Sequence, residues 1–159
     1  MRYLLTLIVL AGALAAASAD AYAQTRSGDA VTFLDHVVRL LAANDYAAAY
    51  PLLHPQQRRL VSAAEYVACE QSSPIPGRLT SLRVLQSTRE RIQVAGTRTR
   101  QVPSTAVTFE LQLTGSVPGE SATIDLTAHA VSVSGRWAWI LSARRLALHR
   151  SGTCGVAAD

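Results

Sequence analysis

Three features of this sequence predict an α+β fold with its helices first. Apolar residues recur at helical spacing from residue 30 to about residue 71 and alternate at strand spacing from residue 79 onward. Between these halves lies the breaker Ser72-Ser73-Pro74-Ile75-Pro76-Gly77. The expected architecture is a set of N-terminal helices packed on a curved antiparallel sheet of about four strands. With 159 residues, 49% hydrophobic and 16% charged, the chain has room for one domain and is too apolar to be disordered.

The first segment reads as an address. Arg2 supplies a positive start, residues 4–17 are apolar apart from Thr6 and Gly12, and Ala21-Tyr22-Ala23 sets small residues two apart. This is the pattern of a secretory signal peptide, expected over residues 1–23, with Ala17-Ser18-Ala19 a second cleavage point. The run falls short of the roughly 20 apolar residues of a spanning helix. The expected location is therefore secreted or periplasmic, with no integral membrane segment after cleavage. Residues 24–29 form a loose polar start, residues 30–150 the domain, and residues 151–159 a tail.

Cys69 and Cys154 are the two cysteines. In an exported chain such a pair is expected to be bridged, which would tie a mid-chain helix to the tail. Closing a loop of that length stabilises by roughly 4–5 kcal/mol in the chain-entropy model. No Cys-x-x-Cys and no closely spaced His pair offers metal-ligand spacing, so neither a metal nor a cofactor is expected.

The helical half divides in three. Val31, Leu34, Val38 and Leu41 fall at steps of three and four, and Phe33, Val37 and Leu40 widen the stripe, which predicts a helix over 30–43. Asp35 and Arg39 form an acid-first pair on its polar side. Asn44-Asp45 reads as a stop and a fresh N-cap, and Tyr46, Tyr50 and Leu53 share the face of a second helix. Pro51 splits that helix and His54-Pro55 marks its end. Ser62-Ala63-Ala64-Glu65 is a capping box that starts a third helix, carried to Gln71 and bearing Tyr66 and Cys69.

In the β half, residues 79–88 form one candidate strand, and Ile92 to Val94 continue it past a bulge. Residues 105–114 alternate, with Val107, Phe109, Leu111 and Leu113 on one face. Residues 122–133 and 136–149 are the last two expected strands, joined at Ser134-Gly135. That turn sets Ala130 opposite Trp139, Ala128 opposite Leu141 and Asp125 opposite Arg144. One face then carries Leu126, Ala128, Ala130, Trp137, Trp139 and Leu141; the other carries Asp125, Thr127, His129, Ser142 and Arg144. Burying a large aromatic contributes about 2–3 kcal/mol and an exposed ion pair about 0–1, so the Trp face is expected inward.

Asn44-Asp45-Tyr46-Ala47-Ala48-Ala49-Tyr50, Leu53-His54-Pro55 and the terminal Ser134-Gly135-Arg136-Trp137-Ala138-Trp139, set in the order helices then sheet, resemble the NTF2-like superfamily over about residues 30–150. The chain looks especially similar to small exported bacterial members with no assigned activity. The resemblance implies a cone or roll with a sheet wrapped around a long helix and an apolar pocket at its open end. That superfamily includes isomerases, dehydratases, transport factors and non-catalytic accessory domains, and fold alone does not choose among them.

The side chains narrow the choice. An isomerase or dehydratase needs an inward carboxylate or His as base and a donor for the enolate. Glu110, Asp125, His129 and His36 all fall on polar faces, and His149 is expected in solvent near the tail. No Gly-x-Ser-x-Gly and no Gly-rich phosphate loop is present. The Arg clusters at Arg58-Arg59, Arg89-Glu90-Arg91, Arg98-Thr99-Arg100 and Arg144-Arg145 have no interleaved aromatics, so nucleic acid is not an expected partner. The leading expectation is an exported, non-catalytic binding or accessory domain. Phe33, Tyr50, Tyr66, Phe109, Trp137 and Trp139 would stand in the core or around an apolar cavity, and the partner would be an apolar small molecule or a protein. The alternatives are a small isomerase or dehydratase, and a homodimeric module pairing through the outward sheet face of His129, Val131 and Ile140.

Overall fold

The computed structural model describes residues 29–98, 100–115 and 119–154. The expected signal peptide (1–23), residues 24–28 of the polar start, Thr99 of the Arg-rich loop and residues 155–159 of the tail lie outside the described residues.

The fold is α+β, with helices followed by a four-stranded antiparallel sheet that does not close into a barrel. Helix α1 is Ala30–Ala42, capped by the Asp29 carboxylate, which accepts from the Val31 amide. Helix α2 is Tyr46–Ala49, and Pro51 converts its continuation to a 3-10 turn at Tyr50–Leu52. Asp45 caps α2 by accepting from the Ala48 amide, 3.1 Å away. Asn44 takes the left-handed conformation between α1 and α2 (φ 56°). Its side-chain amide pairs with both backbone groups of Ile75, so the turn is tied to the linker before the sheet.

The second helical stretch ends just before His54, as expected, and His54 also begins the next helix. Its Nδ1 accepts from the Gln56 amide at the start of α3, Pro55–Arg58, where Pro55 fills the first helical position. Helix α4 is Ala63–Gln71, and both halves of its capping box are made.

The strands are β1 Arg78–Ile92, β2 Val102–Thr114, β3 Ser121–Val133 and β4 Arg136–Trp139, paired in chain order. Two register shifts interrupt β1, between Leu79 and Ser81 and between Val84 and Gln86; such bulges bend a strand and increase its twist. Ser134 and Gly135 both have positive φ (51° and 77°), as a two-residue primed turn requires.

The terminal hairpin keeps the expected register only as far as Ala130 opposite Trp139. Beyond it the expected strand is replaced by helix α5, Ala143–Ser151. Ser142 accepts from the Arg145 amide as N-cap, Gly152 closes the end in the left-handed conformation (φ 66°), and the strong helix formers Ala, Arg and Leu fill the interval. The expected pairs of Ala128 with Leu141 and Asp125 with Arg144 are therefore not formed.

Helix α1 lies against all four strands and buries Phe33, Leu34, Val37 and Val38 on Val107, Phe109, Leu111, Ala130 and Trp139. The Trp139 indole is inward, and its Nε1 donates to the Ala49 carbonyl at 3.0 Å. Asp125 is exposed on the opposite face, where His129 pairs with Glu90 and Arg83 with Glu110. That face is not uniformly open. Val131 and Ala138 are buried under Val94, with Ile140 half-buried beside them, as a second small apolar cluster.

Candidate functional site

Four of the six expected aromatic site residues, Phe33, Tyr66, Phe109 and Trp139, are buried in the main core, while Tyr50 and Trp137 are half-buried against it. Tyr66 holds three of the rings in one chain. It tilts on Tyr50 at 5.6 Å and meets Trp139 edge-on at 6.3 Å between ring centroids. Tyr50 is anchored by its hydroxyl to the carbonyls of Arg58 and Val61. Tyr66 is fully buried, its hydroxyl has no hydrogen-bond partner among the described residues, and burial raises its pKa far above that of an ordinary phenol.

On its other side Tyr66 stacks on His149, 5.1 Å between centroids, and this leads to a group of residues that sequence patterning did not reveal. His149 on α5 is buried, against the expectation that it lies in solvent, because α5 folds its last turn back onto α4. Its Nε2 is 2.9 Å from Oε1 of Glu70, itself buried on α4. The second Glu70 oxygen accepts from the Arg145 guanidinium. Burial pushes the Glu70 pKa up, but hydrogen bonds and charge from His149 and Arg145 outweigh it and hold the carboxyl below the usual range. His149 Nδ1 has no partner among the described residues.

Beside this group the disulfide Cys69–Cys154 joins the α4 face to the chain just beyond α5, with Cα atoms 5.0 Å apart. A pocket of about 490 Å³ opens there, lined by Glu65, Ala68, Cys69, Ser72, His149, Arg150, Ser151, Gly152 and Cys154. None of the six expected aromatic residues lines it. The Ser72 and Ser151 hydroxyls donate to the Cys69 and Leu148 carbonyls. The site therefore presents an oriented carboxylate–imidazole pair and a disulfide, with the nearby hydroxyls engaged in capping their own helix ends.

Gln57 is a second polar group missed at the level of sequence. It is fully buried on α3, donating to the Ala95 and Leu141 carbonyls and accepting from the Leu141 amide. This clamp sets the path of the chain from β4 into α5, and so the position of His149.

No family model matches this chain and no curated protein matches it. Among solved structures the chain is similar to a SEC-C motif containing protein from Rhodopseudomonas palustris, with 18% identity and a TM-score of 0.48, over 77% of this chain and 84% of that one. The expected membership of the NTF2-like superfamily is corrected accordingly. That solved structure is of a SEC-C motif protein, and no family model or curated relative ties the chain to the NTF2-like superfamily. The terminal hairpin, one of the local echoes behind the resemblance, is shorter than expected, because β4 ends after Trp139 and the chain turns into α5. No helix among the described residues is long and apolar enough to cross a membrane.

Proposed function

We propose that this chain is an exported, non-catalytic binding or accessory domain. The observation that carries the reading is the Cys69–Cys154 disulfide, which uses both cysteines of the chain to lock α4 to the end of α5. Such cross-links persist in oxidising compartments, in agreement with the leader-like residues 1–23. Its space for a ligand is the α4/α5 pocket; the half-buried Tyr50 and Trp137 are the aromatic surfaces that reach toward solvent. The partner is an apolar small molecule or a protein.

The test expresses the full chain in a bacterium and weighs the product in each cell fraction. The expected product lies outside the cytoplasm, begins at Gln24 and lacks the two thiol hydrogens of the reduced pair. An uncleaved, reduced, cytoplasmic product would overturn the reading. Native mass spectrometry of the gently purified protein, with tryptophan fluorescence titrations against a medium-chain fatty acid, then separates a small ligand from a protein partner.

A second reading, a small isomerase or lyase, is favoured by one specific observation: His149, which lines the pocket, is bonded to the buried Glu70 carboxylate. It requires deuterium exchange at carbon next to the carbonyl of small ketones, lost in Glu70→Gln. Absence of exchange removes it.

A further inference from the structure

We infer that Cys69, Cys154 and His149 form a binding site for a thiophilic divalent cation of the Zn²⁺ type whenever the disulfide is reduced. Three observations converge on it. The two sulfurs and a ring nitrogen of His149 all lie within 4.8 Å of one another. Zinc distances of about 2.3 Å to sulfur and 2.0 Å to nitrogen place neighbouring ligand atoms roughly 3.3–3.8 Å apart, so modest movement after reduction gathers the three donors. Cys154 lies beyond the end of α5, outside regular secondary structure.

The second observation is the imidazole itself. The His149 side chain is 1% exposed and its Nδ1 has no partner among the described residues, although a buried polar atom without one is costly. Glu70 accepts at Nε2, which selects the tautomer with a lone pair on Nδ1. A carboxylate bonded to the far nitrogen of a metal-binding His fixes the ring and strengthens it as a ligand, and Arg145 in turn orients that carboxylate. The third observation is access. The same three residues line the 490 Å³ pocket, which leaves room for a water as fourth ligand.

The chemistry balances without an unstated reactant. Two equivalents of a small-molecule thiol together donate two electrons and two protons to the disulfide and end joined as one molecule of their own disulfide. Cation binding then displaces both thiol protons to solvent. Metal and disulfide are mutually exclusive, so oxidation expels the cation.

The test titrates the full chain with Co²⁺ under argon, in the oxidised form and after reduction with a phosphine, which does not compete as a thiol ligand. One Co²⁺ per reduced chain is expected, with tetrahedral visible bands and a thiolate charge-transfer band, and none per oxidised chain. Cys154→Ser should abolish the charge-transfer intensity of one sulfur. Glu70→Gln and His149→Asn should each weaken binding about 10–100-fold. Equal uptake by the oxidised chain, no uptake by the reduced chain, or affinity unchanged in His149→Asn would each overturn the site. If reduction unfolds the protein, Zn²⁺ must restore its far-UV circular dichroism; failure to do so also overturns it.

Discussion

The interior beneath α1 and the seam between α4 and α5 are both well buried, yet they are held by different physics. Under α1, Leu34, Val37, Val107, Phe109 and Leu111 exclude water through area alone, and none of them responds to pH or redox state. At the seam, a disulfide, a carboxylate, an imidazole and a guanidinium meet in one place. Tyr66 and Trp139 join the two regions, since Tyr66 touches His149 on one side and Trp139 on the other. One small domain thus contains a region of fixed stability and a region whose stability is conditional.

Removing the disulfide should have the largest effect. Cys69→Ser with Cys154→Ser should lower unfolding free energy by roughly 4–5 kcal/mol, read by urea denaturation, and adding a reductant should then change nothing further. A loss below about 1 kcal/mol would mean that the seam closes without its covalent link. Phe109→Ala comes next, at about 3–5 kcal/mol, because it opens a cavity in a fully buried position. Its cost should be equal at pH 7 and pH 5. A strong pH dependence would break the contrast between the two regions.

Glu70→Gln should cost about 1–3 kcal/mol at neutral pH, since a buried charged acceptor is lost to two donors. The Glu70 pKa is depressed in the fold. Its contribution is thus complete above the ordinary value of 4.5 and is lost as pH falls through the lower folded value. The parent and the variant should therefore converge in acid denaturation profiles. A gap that persists at low pH would assign the loss to packing.

The smallest effect concerns His54. Burial, then the charge of Arg58, lowers its pKa below 6.5, and the neutral ring is the form that caps α3. Stability from this group is present above pH 6.5 and declines as pH falls toward the folded value. His54→Asn keeps a cap acceptor without titrating, so it should flatten that decline by about 1 kcal/mol or less, measured as melting temperature against pH.

The helical half was legible because its signals are local. Asp29, Asp45 and Ser62 cap the helices they precede in sequence, and the stripe through Phe33, Leu34, Val37 and Val38 needs no partner to be read. The alternation of Val107, Phe109, Leu111 and Leu113 placed β2, and Ser134-Gly135 set the hairpin register correctly for four pairs. The reading failed at Ser142. Ser142 and Gly152 bracket a short helix that an alternating pattern extended past Trp139 disguises as strand. That one error also put His149 in water and hid its approach to Glu70, 79 residues away in the chain.

From the residues alone came the α+β order, the inward Trp139, the outward Asp125 and the pairing of Cys69 with Cys154. Each rests on short-range periodicity, capping or simple cysteine arithmetic. Only the folded chain determined that Glu70 joins His149 to Arg145 at the α4/α5 seam, and that His149 and the disulfide line one pocket. Polar groups distant in sequence carry no periodic signature, and they meet because Gln57 directs the chain from β4 into α5 and α5 packs on α4.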